Sequence, residues 1–250
     1  MIEPKILVKG GFSPEDIHIQ LNRETNRKTT QELEKLIREE WEWLYSKAKS
    51  EGRIIWDGES YRLDDFRVNE HGELFLKVSP IKYSVRAPLN RLTQYTEKLG
   101  EQYLAKGLGI GGFLKTTDGK FIFGVRSGKT LTSNKIDFIG GIVENVDLNS
   151  GKELFSQNYK EIQEEMGVSK DQIDNMVVLG MILSNTSNVI IITFTQLNID
   201  SKKVLDVFRQ RNDEEMSSLE FVEEESLKDY LHDLGGYKVV VYELLKLSNK

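Results

Sequence analysis

The 250-residue sequence predicts an α+β fold, with a mixed α/β sandwich over 105–250 and a smaller N-terminal α+β domain over 1–104. Three observations point there. Strand-like segments come in rows with helices set between them, which argues against a regular parallel βαβ sheet. The rhythm of the sequence changes near residue 107. No Pro- or Ser-rich linker separates the halves, so they are expected to pack together.

In the first hundred residues, KILVKG (5–10) and DIHIQL (16–21) read as short strands, the second alternating with period two. Thr29 with Glu32 resembles a capping box. It opens a helix whose apolar positions Leu33, Leu36, Ile37, Trp41, Leu44 and Ala48 keep helical spacing. YRLDDFRVN and ELFLKVS, joined by EHG, form a hairpin, and a helix is expected over 89–104. Beyond 107, GIGGFLKT, KFIFGVRS and KIDFIGGIV read as strands split by TDG and by a polar loop over 127–134. A helix at 153–166, strands at 176–184 and 188–197, a helix near 201–211, a strand at 219–223 and a helix around 237–247 complete the chain.

Composition excludes several functions. A net charge of −6 and a pI near 5.3 argue against a nucleic-acid partner, which requires a clustered basic surface. The absence of cysteine removes disulfides, thiolate zinc sites and cysteine nucleophiles. His18, His71 and His232 are too scattered for a histidine-based centre. The start MIEPKILVKGG does not match a secretory signal, and the longest apolar run, VIIITF at 189–194, is too short for a bilayer. A cytoplasmic protein with no membrane partner is the expectation.

Two glycine motifs invite nucleotide-binding readings. GLGIGG (107–112) sits within a strand-like stretch and runs into FLKTTDG, whereas a dinucleotide site needs a glycine turn opening directly onto a helix. GVRSGKT (124–130) has its first glycine one residue too close for a P-loop, and LTSNKIDF after it lacks a helical stripe. A P-loop kinase or ATPase is therefore disfavoured. Arg126 and Lys129 remain candidates as cations near a phosphate, or as solvated loop charge.

The helix at 153–166 carries the chemistry. At roughly 100° per residue, Phe155, Tyr159, Ile162 and Met166 form one stripe, and Glu161, Glu164 and Glu165 gather on another. Like charges at that spacing repel by a few tenths of a kcal/mol per pair, on the order of what an opposite-charge pair contributes. A hard divalent cation with oxygen ligands removes the penalty.

These residues resemble the Nudix box, G-x5-E-x7-R-E-U-x-E-E-x-G-U, where U is a bulky aliphatic. Glu161, Ile162, Glu164, Glu165, Gly167 and Val168 match its second half, and DFIGGIVENVD (137–147) is similar to the strand and paired glycines that open it. Lys160 stands where the family usually has arginine, whose planar fork orients a carboxylate as lysine's point charge does not. The loop is lengthened, so the first glutamate of the box has no counterpart at its spacing. Asp147 stands there, and Glu144 and Glu153 are the nearest glutamates. The segments YRLDDF, LFLKVSPIKYSVR, YLAKGLGIGG, ELFSQNYKEIQEE and LGMILSNTSN are collinear with animal Nudix hydrolases that cleave UDP-glucose and UDP-galactose. Those enzymes share the extra N-terminal region, the extended box and the loss of its arginine.

The resemblance implies a Nudix-type α/β/α sandwich and a Mg²⁺-dependent (or Mn²⁺-dependent) pyrophosphohydrolase that releases UMP and a sugar 1-phosphate. It implies Glu161, Glu165 and Glu164 as metal ligands, with the Gly140 carbonyl completing the shell and Lys160 beside them. Glu215, or its neighbour Glu214, is the candidate general base. Tyr83, Arg86 and Asn185 are candidate substrate contacts, together with Arg126 and Lys129. The same helix serves an ADP-ribose-type substrate equally well, and a non-catalytic nucleotide-binding regulatory module is the alternative of another class. The expected partner is a small-molecule nucleotide, with the chain a monomer or homodimer.

Overall fold

The computed structural model describes residues 2–25, 27–53, 55–128, 134–144 and 148–246. Strands β1 (Lys5–Phe12) and β2 (Ile17–Leu21) lead into helix α1 (Gln31–Ser50). Thr30, not Thr29, caps α1: its side chain accepts the Leu33 N–H at 3.1 Å, and Leu33, Ile37 and Ala48 are buried along one stripe. The cap lies one residue beyond the expected position because Thr29 instead donates to Glu34.

Strands β3 (Glu59–Val68) and β4 (Leu74–Lys82) form the expected hairpin, followed by helices α2 (Tyr83–Arg91) and α3 (Thr93–Leu99). The single helix expected over 89–104 is thus two short ones that begin six residues earlier. The start is fixed from a distance: Asp57 accepts the Ser84 N–H at 2.7 Å, and Gly58 O accepts the Tyr83 N–H at 2.9 Å. Gly100, at φ 114°, ends α3.

The remaining elements are β5 (Leu108–Lys115), β6 (Phe121–Arg126), β7 (Ile136–Asp137), β8 (Ile139–Ile142), α4 (Gly151–Met166), β9 (Ile173–Leu183), β10 (Val189–Leu197), α5 (Ser201–Gln210), β11 (Met216–Val222), α6 (Leu227–Leu234) and α7 (Lys238–Leu245). Helix α6 has no counterpart in the sequence reading.

The main sheet is mixed, with order β1-β9-β10-β5-β6-β11. β10 runs parallel to β5, and the other pairs along this path are antiparallel. The first strand of the chain therefore crosses the boundary drawn at 104 to become an edge of the main sheet. A second sheet, β2-β4-β3, stays within the N-terminal segment. Its edge strand β3 bonds to residues flanking β8 and β5, through Tyr61 N–H to Val143 O and Leu63 N–H to Lys106 O.

Alternating side chains divide the core between the two faces of the main sheet. Leu108, Ile110, Leu114, Val189 and Ile191 pack with Ile162 and Met166 of α4 and Val204 of α5. Phe113, Phe121, Phe123 and Ile192 pack with Leu227, Leu231, Val241 and Leu244 of α6 and α7. The result is a mixed α+β architecture with helices on both faces. Among the described residues no helix is long and apolar enough to cross a membrane.

β5 and β6 meet only at Lys115 and Phe121 and then diverge. β8 pairs with β5, and β7 with β6, along the inner edges of that opening. This split sheet places the Gly140–Gly141 turn beside α4.

Candidate active site

Helix α4 is anchored at both ends and along its back. Ser150 accepts the Lys152 N–H and donates to Glu153, so Glu153 belongs to the helix start and not to the site. Gly167 closes the helix in the left-handed conformation. Asn158, buried on the core side, donates to Thr193 Oγ1 of β10 at 3.1 Å.

The acidic face splits in two. Glu165 is only 2% exposed, Glu161 is partly buried, and Glu164 faces solvent. The Gly140 N–H donates to Glu165 Oε2 at 3.0 Å, while Glu165 Oε1 is buried with no hydrogen-bond partner. Gln157 Nε2 donates to Glu161 Oε1 at 2.6 Å. Burial pushes the Glu165 carboxyl up to about 9, reinforced by the negative charge of Glu215. Burial likewise raises Glu161 to about 7, against the hydrogen bond from Gln157. Lys160 Nζ lies 3.7 Å from Glu164, and both side chains are about half exposed. Neither is brought into the cavity, although the sequence grouped them with the other acids.

Two glycines allow this close approach. Gly140 has φ 149°, and a Cβ there would fall 2.2 Å from Ile110 O of the neighbouring strand. At Gly141 a Cβ would lie 2.5 Å from Glu161 Cδ, so the carboxylate rests directly on the turn. The paired glycines admit β8 between β5 and α4.

A cavity of about 330 Å³ opens at the turn, lined by Glu161, Glu144, Glu215, Arg86, Arg126 and Asn188, with Gly109–Gly111 as part of its wall. Glu215 is paired with Arg126. Arg86 is 5% exposed; its Nε donates to Asn188 Oδ1 at 3.1 Å and its Nη1 to Leu108 O at 3.4 Å. Burial lowers Arg86 to about 10, opposed by the electrostatic influence of Tyr83 and Glu144. No carboxylate among the described residues forms an ion pair with it. Asp137 closes another part of the wall, accepting Tyr237 Oη at 2.8 Å and Lys238 Nζ at 3.1 Å.

Of the expected site residues, Glu161, Gly140, Glu215, Arg86 and Arg126 line this one cavity. Glu165 meets it through the Gly140 amide. Tyr83 lines an adjoining cavity instead. Asn185 does not line the cavity; Asn188, three residues later, does. Glu214 is exposed and lies outside the wall. Lys129 and Asp147 fall outside the described residues. Glu144, Asn188, Asp137 and Tyr237 are the additions. Only Glu144 left a signal in the sequence, as one of the acids nearest the missing box position.

A hard divalent ion fits this donor set in one specific manner. Among the described residues no three acidic or histidine side chains are grouped closely enough to hold a metal alone. Glu161 and Glu165 supply two carboxylates, one with an orphaned buried oxygen, beside the backbone of Gly140. That matches Mg²⁺, which keeps several waters and takes few protein ligands.

No family profile matches the chain, and no curated protein matches it. Several solved structures are similar. Tm1382, a candidate Nudix hydrolase, is 18% identical with a TM-score of 0.43, covering 82% of this chain and 96% of its own. The MutT protein of Methanosarcina mazei Go1 is 20% identical with a TM-score of 0.37, covering 58% and 96% respectively. A Nudix hydrolase from Nitrosomonas europaea is 13% identical with a TM-score of 0.35, covering 49% and 76%. Likenesses this distant carry no weight for the chemistry, which rests on the geometry around α4.

Proposed function

We propose that the chain is a Mg²⁺-dependent pyrophosphohydrolase of the Nudix type, acting on a nucleoside diphosphate linked to a second group. One observation carries this reading. Two carboxylates, the half-buried Glu161 and the buried Glu165 with its orphaned oxygen, rest against a glycine turn beside a cavity that also presents two guanidinium groups. Burying uncompensated acids is costly unless a cation joins them.

Glu161, Glu165 and the Gly140 carbonyl would hold Mg²⁺ there, and the ion would supply charge neutralisation for the pyrophosphate oxygens and for the attacking water. Arg126 and Arg86 bind the diphosphate, which carries one negative charge on each phosphate, and no carboxylate among the described residues forms an ion pair with Arg86. Glu215 takes the proton from the attacking water. The oxygen of that water bonds to phosphorus as the phosphoanhydride P–O bond breaks, and the leaving oxygen departs with its phosphate. Glu164, turned to solvent and paired with Lys160, stays outside this inner set.

A UDP-sugar is the proposed substrate, on the collinear segments that resemble UDP-glucose and UDP-galactose hydrolases; UMP and a sugar 1-phosphate are then the products. The test is a panel of nucleotide sugars, with ADP-ribose included, incubated with Mg²⁺ and assayed for nucleoside monophosphate. Turnover highest on a UDP-hexose supports the reading, and turnover highest on ADP-ribose moves the substrate while keeping the reaction. No release from any diphosphate, with Mg²⁺ or Mn²⁺, overturns the enzyme reading in favour of a nucleotide-binding module.

A further inference from the structure

Beside the main cavity lies a second, of about 220 Å³, and the two share Ile142 and Glu144 as common wall. Its far side is built from Trp56, Ile55 and Tyr83. Trp56 is 55% exposed. A Cβ on Gly58 would lie 1.8 Å from the Trp56 ring, so one side of the indole is seated on that glycine. The segment itself is fixed, because Asp57 caps α2 and Gly58 O accepts the Tyr83 N–H. Of the strongly exposed large apolar side chains among the described residues, Trp43, Tyr45, Val68 and Val239 line neither of these two cavities, and Trp56 alone does. An indole held in place at the wall of a cavity it shares with Ile55, Tyr83 and Ile142, beside a charged cavity, offers its open face to a flat ligand with a polar end.

Glu144 marks the junction. It is partly buried, and no described side chain hydrogen-bonds to its carboxylate. Arg86 and Lys160 supply attractive charge from either side, and Glu164 opposes it. Ser60, the other polar group nearby, spends its hydroxyl on Ile81 O at 3.0 Å.

Resting on the pyrophosphohydrolase reading, we propose that this side cavity is the nucleoside subsite, in which Trp56 stacks on the base and Glu144 accepts a ribose hydroxyl. The pyrophosphate then spans the shared wall toward Glu161 and Arg126. Stacking on an indole tolerates every base, because each presents a π-face. The subsite therefore binds uridine and adenosine nucleotides comparably, and a preference for a UDP-hexose over ADP-ribose is set by the group on the far side of the diphosphate.

Binding to the full-length chain without metal separates this from the catalytic reading. UMP, AMP and inorganic pyrophosphate are titrated against wild type, Trp56→Ala and Trp56→Phe, following indole fluorescence and calorimetric affinity. UMP and AMP are expected to quench wild-type fluorescence and pyrophosphate is not. Trp56→Ala is expected to weaken both nucleotides by about 5- to 150-fold, the span of a single base–aromatic stack, with pyrophosphate unchanged. Trp56→Phe retains most of the affinity and loses the quench. The 2′,3′-dideoxy analogue of UMP binds wild type more weakly than UMP, and Glu144→Ala, which leaves no acceptor, removes that difference. Equal loss of nucleotide and pyrophosphate in Trp56→Ala, an unchanged nucleotide affinity, or nucleotides binding wild type no better than pyrophosphate each overturn the subsite. Trp56-dependent nucleotide binding without turnover on any diphosphate leaves the subsite standing and removes the catalytic reading. Turnover with a KM indifferent to Trp56 does the reverse.

Discussion

Replacing Glu165 by glutamine exchanges a buried acid for a neutral group of the same shape. Burial raises the wild-type carboxyl from 4.5 to about 9, so between those values the metal-free folded chain holds a proton that the unfolded chain has released. The contribution of this group to stability is then greatest below pH 4.5 and falls as pH rises, by about 1.4 kcal/mol per pH unit for this one proton. Over pH 5–8 the loss amounts to roughly 4 kcal/mol, a large part of a typical folding free energy. Glu161, raised to about 7, steepens the decline at the acidic end of that range. Denaturant unfolding in EDTA at pH 5, 6, 7 and 8 measures it. Glu165→Gln should fall less steeply by about 1.4 kcal/mol per pH unit and be the more stable protein at pH 8. Millimolar Mg²⁺ should raise wild-type stability at pH 8 and leave the variant nearly unmoved, since linkage requires binding to the native state. Parallel pH curves for the two proteins would refute the burial of this carboxylate.

Other perturbations read different parts of the structure. Gly140→Ala places a Cβ 2.2 Å from Ile110 O at a φ of 149°; a loss of more than about 2 kcal/mol, or failure to fold, is expected in chemical denaturation. Arg86→Leu removes a buried cation with no ion-pair partner among the described residues; metal-free stability should hold or rise while KM for the nucleotide substrate increases at least about tenfold. Lys160→Ala breaks only a half-exposed pair at 3.7 Å, so its melting should shift by less than about 1 kcal/mol equivalent and its kcat stay within about threefold. A large fall in kcat would mean that Lys160 acts on the inner carboxylates.

The sequence foretold α4 because its stripe repeats locally: Phe155, Ile162 and Met166 are buried as their spacing required. Periodicity also grouped Glu161, Glu164 and Glu165, which lie within about a hundred degrees of each other around the helix. It had no means of separating Glu165 at 2% exposed from Glu164 in solvent, because the strand that covers one side comes from residues 139–142. The same limit explains α2, whose cap Asp57 lies 27 residues from Ser84. It explains β1, which left its neighbours to pair with β9 across more than 160 residues. The Arg86–Asn188 contact spans 102 residues, and Tyr237 reaches Asp137 across 100. Asn188 and Asn185 are indistinguishable in a polar turn until the backbone assigns one of them to the cavity. Glycine spacing was informative where it excluded, since GLGIGG lies in β5 with no helix after it.

The most direct measurement is nucleoside monophosphate release from a UDP-hexose over a Mg²⁺ titration, with wild type, Glu161→Gln and Glu165→Gln side by side at pH 8. If Glu161 and Glu165 hold the metal at the Gly140 turn, wild type releases UMP only when Mg²⁺ is added, and each variant loses activity by at least about a hundredfold while remaining folded. Wild-type turnover in EDTA, or either variant retaining wild-type turnover, would contradict that assignment.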